Sequence, residues 1–333
     1  MRVNRSNLLQ ALNTVKPVIT SNDFLHQDTH FIFTGDYVAA YDGYMGIKCR
    51  FETDFMCTVP FNEFYSILDR IECEEVIIEM AKNKICFEGI NVKGELNVNI
   101  EIEDKFLLHH PDDWKHLPGD FIDAINFCLP STSQNATKPI LMYLNVQGDT
   151  MESTDNYRIS QYRMKGSVAD PLLIHANYGS CINKHLITKY NLDDSWIFFR
   201  TDDGVIFYCR KVEYQYPNLD SIIEQFVDGI TIVFPSGIID AINVSSILAG
   251  GSLDIESKIK VTIENNKLVC TGCNDVGKVD CMLDFNFSGN SFSFVINPVF
   301  FSAILKKSNT AIVGQDRIMF IGDNFKHLIA LFS

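Results

Sequence analysis

The chain of 333 residues is 46% apolar and carries 42 Asp and Glu against 28 Lys and Arg, a formal charge of −14. With a mean hydropathy near zero, this composition describes a globular protein long enough for two or three domains, and it excludes a disordered chain or a basic nucleic-acid coat. No apolar run reaches membrane-spanning length and residues 1–10 lack a leader core, so a cytoplasmic protein without membrane attachment is expected, its ten scattered cysteines reduced.

In chain order, Leu8, Leu9, Leu12 and Val15 fall at helical spacing behind Ser6 as N-cap. A second helix is predicted over 60–68, then a hairpin over 76–87 turning at Lys82-Asn83. The polar stretch His109-His110-Pro111-Asp112-Asp113-Trp114 reads as a linker. Its adjacent histidines have no partner ligands at metal-site spacing. A helix follows with Phe121, Ile122, Ile125 and Leu129 on one face and Asp120 as N-cap. Met142, Leu144 and Val146 alternate with Tyr143, Asn145 and Gln147, which predicts a half-buried strand. Gly148-Asp149 reads as a tight turn, and the return strand delivers Thr154 to Ile159 at its end. Further on come a helix over 183–190, a hairpin over 196–208 turning at Asp203-Gly204, and the Pro-containing segment 216–220. A helix around Ile238, Ile239 and Ile242 has Ser236 as its N-cap. A helix over 298–305, a hairpin over 311–321 and a strand over 327–332 complete the chain. Cys270, Cys273 and Cys281 form a cluster, but with no second Cys pair and no spaced His pair they read as small apolar strand residues.

The pattern repeats. Leu9-Gln10-Ala11-Leu12-Asn13 is echoed by Ile122-Asp123-Ala124-Ile125-Asn126 and by Ile239-Asp240-Ala241-Ile242-Asn243, at spacings of about 113 and 117 residues. Each third reads as helix, strands, helix, strands, which predicts an α+β fold of three domains, 1–113, 114–223 and 224–333. Small sheets leave unpaired edges, and repeats joined edge to edge would use them up.

The segments Thr137-Lys138-Pro139-Ile140-Leu141 and Ser153-Thr154-Asp155-Asn156-Tyr157-Arg158-Ile159 resemble the middle domain of the bacterial DNA polymerase III beta subunit, the beta sliding clamp. Tyr157 stands where that family usually has histidine, and Ile159 where it has leucine. Segment 216–222 and Cys57-Thr58-Val59-Pro60-Phe61 fit the same family, whose layout spans the chain. The resemblance implies the DNA-clamp fold, three repeated helix/sheet domains forming a ring with helices lining the hole. It implies a processivity factor that encircles double-stranded DNA without reading sequence and serves a DNA polymerase, opened by a separate clamp loader, with no cofactor of its own. An acidic exterior is compatible with this, since a Debye length of about 8 Å screens it from an inner face at physiological salt.

The resemblance also assigns residues. A groove for partner peptides would use Thr154, Tyr157, Arg158, Ile159, Pro217, Ile222, Leu328 and Ala330. DNA phosphates would meet Lys184, Lys189, Lys306 and Lys307, with Arg5, Lys16, Arg70, Asn135 and Lys138 as further candidates. Ile247 and Leu248 would meet Leu96 and Val98 of a second copy in a homodimer. Two other readings stay open. One is a clamp-like scaffold that binds such peptides without forming a ring. The other is a carboxylate-dependent enzyme, although no Ser-His-Asp elbow, P-loop or GxGxxG motif is present.

Overall fold

A computed structural model describes residues 1–19, 29–102, 112–226, 228–251 and 254–332. The linker histidines His109 and His110 lie outside the described residues. The fold is α+β, and the chain divides into two compact units, 1–122 with 172–213 and 123–171 with 214–333.

In the first unit, β1 (Arg2–Asn4), β6 (Glu75–Ala81), β7 (Lys84–Gly89) and β8 (Val92–Asn97) form an antiparallel sheet in the order β1-β6-β7-β8. An eight-stranded sheet contains β2 (His30–Thr34), β3 (Tyr37–Tyr41), β4 (Met45–Arg50) and β5 (Met56–Pro60). It continues through β9 (Lys115–His116), β12 (Ile187–Leu192), β13 (Trp196–Thr201) and β14 (Ile206–Arg210), in the order β5-β2-β3-β4-β14-β13-β12-β9. The β4–β14 pairing therefore joins strands of the first and middle thirds, so neither hairpin stack keeps a bare edge there.

Helix α1 (Arg5–Val15) buries Leu8, Ala11, Leu12 and Val15, the stripe its sequence spacing predicts. Each fully buried leucine contributes roughly 1.5–3 kcal/mol relative to exposure. Its cap is Asn4, whose side chain accepts from the Asn7 N–H, in place of the expected Ser6. Helix α2 (Phe61–Arg70) buries Phe64 and Leu68. Arg5 closes its C-terminus by donating to Leu68 O at 2.7 Å and Asp69 O at 2.8 Å, two carbonyls that a helix end leaves unpaired. Tyr41 stacks on Tyr208, with Trp196 edge-on to both. Gly46 is required beneath that ring, because a Cβ there would stand 2.0 Å from Tyr208 Cζ.

The second unit has a six-stranded sheet of β10 (Tyr143–Thr154), β11 (Arg158–His175), β22 (Phe325–Ala330), β21 (Arg317–Ile321), β20 (Thr310–Val313) and β15 (Ile230–Val233), in that order. Its four-stranded sheet is β18 (Gly277–Asp284), β17 (Lys267–Asn274), β16 (Ile259–Glu264) and β19 (Phe292–Ile296). The β11–β22 pairing again joins neighbouring thirds. A core of aromatic edges, with Phe234 and Phe294 around Phe301, fills this unit. Helix α6 (Ile238–Ser246) lies so close to β17 that a Cβ on Gly272 would stand 1.8 Å from Ser245 O. Helix α7 (Pro298–Leu305) is capped by Asn297, which accepts from the N–H groups of Val299 and Phe300, and carries Pro298 in its first turn.

Several expectations are corrected. The helix expected over 183–190 is instead α4 (Ala176–Ile182), followed by strand β12. Ile187, Thr188 and Tyr190 are β-branched or aromatic and favour pleated backbone. Leu186, which a helix would have buried, is 82% exposed. The Gly148-Asp149 turn does not form: β10 runs through it, with Gly148 at φ +61, and the chain reverses at 155–157, where Asn156 has φ +73. Asp155 supplies the turn by accepting from the N–H groups of Tyr157 and Arg158. Gly237, at φ +88, occupies the α6 N-cap in place of Ser236. Asp120, buried, directly precedes α3 (Phe121–Cys128). The hairpins turning at 82–83, 203–204 and 315–316 form as expected. Cys270 and Cys281 face each other across β17 and β18, and burial pushes the Cys270 thiol up to about 12, away from the thiolate a metal requires.

Candidate functional site

The site is built on the β10–β11 turn and the last strand. Ile159 pairs with Leu328, and the Ala330 N–H donates to Tyr157 O at 2.8 Å. Ile159 and Leu328 project onto one face of the six-stranded sheet with Met319, which pairs with Leu328 from β21. A short helix, α5 (Asp220–Glu224), lays Leu219 and Ile223 onto that face, and Tyr216, Phe226 and Ile312 close the cluster. At its margin Tyr157 is 44% exposed and Ile222 36%, and Pro217 and Ala330 are also exposed. The result is a packed apolar floor with an open apolar rim, the chemistry that receives a short hydrophobic segment.

Two predicted groove residues serve the scaffold. Thr154 is buried, donates to Arg158 O at 2.8 Å and accepts from the Asn156 N–H. Arg158 is fixed from three sides. Its Nε lies 2.9 Å from Asp155 Oδ2, a second nitrogen donates to Pro130 O, and the guanidinium stacks 4.0 Å over the Phe300 ring of α7. Beneath the floor runs a buried polar chain. Ser131 Oγ and Ser160 Oγ are 2.7 Å apart, and Ser160 Oγ lies 2.8 Å from His327 Nδ1. Burial pushes the His327 imidazole down to about 3, with the Arg158 charge adding to the effect. Glu152 accepts from Asn145 at 2.9 Å, and burial pushes its carboxyl upward. A cavity of about 460 Å³ bordered by Ile230, Phe294, Val313 and Phe332 does not coincide with this cluster. Exposed anchors around a packed floor define the site better than hollow volume does.

No protein-family model matches the chain, and no curated protein matches its sequence. Solved structures match it end to end. The DNA polymerase III β subunit of Streptococcus pyogenes superposes with a TM-score of 0.86 at 17% identity, covering 99% of each chain. The sliding clamp of Bartonella birtlesii, solved bound to griselimycin, gives a TM-score of 0.87 at 15% identity, over 100% of this chain and 99% of that one. The β chain from Streptococcus pneumoniae gives 0.84 at 17%, over 100% and 99%. The chain has the sliding-clamp fold.

On that fold the remaining candidate residues fall into separate groups. Lys184 is exposed between α4 and β12. Lys306 and Lys307 are exposed just past α7. Arg70, Asn135 and Lys138 are exposed too, and Asn135 Oδ1 shapes its own loop by accepting from the Thr137 N–H and Oγ1. Lys189 lies on strand β12, opposite Arg200 and His116, so the helix-face placement is corrected. Arg5 is held on the end of α2 and Lys16 stands 4.3 Å over the Tyr65 ring. For the expected subunit contact, Ile247 is 75% exposed and Leu248 half-buried beside Gly277 at the start of β18, whereas Val98 is buried and Leu96 partly so. The sequence reading missed Leu219, Ile223 and Met319. The pair Ile222-Ile223 was the available signal, and only packing decides which isoleucine forms the floor.

Proposed function

We propose that the protein is a DNA sliding clamp: a processivity factor that closes around duplex DNA as a homodimer and tethers a polymerase through the apolar groove at Ile159 and Leu328. The observation that carries this reading is the fold match over the full length of both chains. The proposed domains are 1–113, 114–223 and 224–333, each with the repeated helix motif. Among the described residues, the two four-stranded sheets, one in each unit, have β8 and β18 as edge strands, each paired on one side only. Pairing β8 of one copy with β18 of another would satisfy both edges, and the exposed Met282 and Ile247 give that contact apolar area. Lys184, Lys306 and Lys307 are the proposed phosphate contacts, binding without base readout. The clamp acts in the cytoplasm of a bacterium, or of a host if phage-encoded, performs no catalysis, and is opened by a separate loader.

The test is topological. Loaded on nicked circular DNA, the protein stays bound, and linearising the circle releases it. Light scattering gives a dimer. Changing Lys184, Lys306 and Lys307 to Glu weakens loading and leaves the fold intact. A monomer with equal retention on circular and linear DNA would favour the scaffold reading.

A further inference from the structure

The rim of the groove is acidic on the α5 side. Asp220 and Glu224 stand one turn apart on one face of α5, both exposed, and the exposed Ile222 projects from the helix's other side. Asp220 reaches over β11, where Gln161 Nε2 donates to its Oδ1 at 2.7 Å. Gln161 is two residues beyond Ile159 and pairs with Lys326 as Ile159 pairs with Leu328, so this carboxylate lies one step along the strand from the apolar floor. A neutral amide orients Asp220 without cancelling its charge.

The other charges nearby largely cancel. Asp155 is paired with Arg158, and Asp316 with Arg317 at 2.7 Å. Glu152 is buried between amide donors, Asn145 at 2.9 Å and Gln161 at 3.5 Å. Arg163, two residues beyond Gln161, is paired with Asp149 at 2.8 Å, and Lys326 is exposed on the same face. Two exposed carboxylates therefore share the Gln161 side of α5, facing Lys326.

We propose that the groove selects partner segments in which an aliphatic-aromatic anchor is flanked by Lys or Arg on the side that lies against α5. This rests on the groove reading above and names its partner chemistry. The anchor residues bury against Ile159, Leu219, Ile223 and Leu328, and the basic flank meets Asp220 and Glu224. Charges at the rim act mainly through selection and association rate, and they weaken with salt.

Fluorescence anisotropy with three labelled peptides on the full chain tests this. All three share one Leu-Phe anchor and differ only in flanks of Lys, Ser or Glu. The Lys-flanked peptide binds about tenfold more tightly than the Glu-flanked one at low salt. The gap narrows at high salt and inverts in the Asp220→Lys/Glu224→Lys variant. Glu224→Lys alone halves the preference, with folding checked by circular dichroism. Equal binding of all three peptides, or tighter binding of the Glu-flanked one, overturns the charge selection and leaves the groove standing. If no peptide binds, or an anchor changed to alanines binds as well, the groove itself falls and the proposal with it.

Discussion

Lowering the pH from 7 to 5 destabilises this fold chiefly through His327, with His175 and His185, also pushed down by burial, acting in the same sense in wild type and variant alike. In the unfolded chain the His327 imidazole titrates near the usual 6.5, whereas in the folded protein burial and the Arg158 charge push it down to about 3. Because the folded-state value is depressed, the stabilising difference is complete above about pH 6.5 and is lost progressively as the pH falls towards 3. At pH 5 the unfolded chain is mostly protonated and the folded protein is not. The linkage relation then gives a loss of about 2 kcal/mol between pH 7 and 5, a large share of a typical stability of about 5–15 kcal/mol. The comparison is with His327→Gln, which keeps a hydrogen-bonding group beside Ser160 Oγ but does not titrate. Glu152, with its carboxyl pushed up by burial, acts in the opposite sense, gaining stability as the pH falls, and it cancels because both proteins carry it. Urea unfolding of each protein at both pH values gives the four stabilities needed. The His327→Gln protein should lose about 2 kcal/mol less than the wild type over that interval. Equal losses, within about 0.5 kcal/mol, refute the assignment of the pH dependence to this histidine.

Other changes act through single contacts. Gly272→Ala drives a methyl group into the Ser245 carbonyl at 1.8 Å, backbone against backbone, and should cost about 3 kcal/mol or more in denaturant unfolding. Asn297→Ala removes the two hydrogen bonds that cap α7 and should cost about 1 kcal/mol in the same measurement. Arg158→Lys cannot reach Asp155 and Pro130 while covering Phe300. It should lower stability by about 2–4 kcal/mol and weaken binding of a Leu-Phe peptide, because the 155–157 turn that presents Tyr157 loosens. Leu328→Ala should weaken the same peptide at least tenfold, read by anisotropy, with a stability loss of about 2–4 kcal/mol.

The periodic features were legible before any fold was known. The stripe Leu8, Leu12 and Val15, the Pro298 helix, the Asp203-Gly204 hairpin and the threefold echo of α1, α3 and α6 follow from local spacing, which needs no partner to be read. Tertiary structure decided the rest. Residues 183–190 hold enough apolar groups for a helix, and only the pairing of β12 with β13 and β9 makes them a strand. Gly148-Asp149 has the composition of a turn, but the ladder continues through it and reverses where Asp155 can satisfy two N–H groups. The proposed groove shows the same division: the resemblance to the clamp family named Tyr157, Arg158 and Leu328, whereas the packing of Ile223 into the apolar floor and of Arg158 onto Phe300 rests on contacts between residues far apart in the chain, which local composition does not encode.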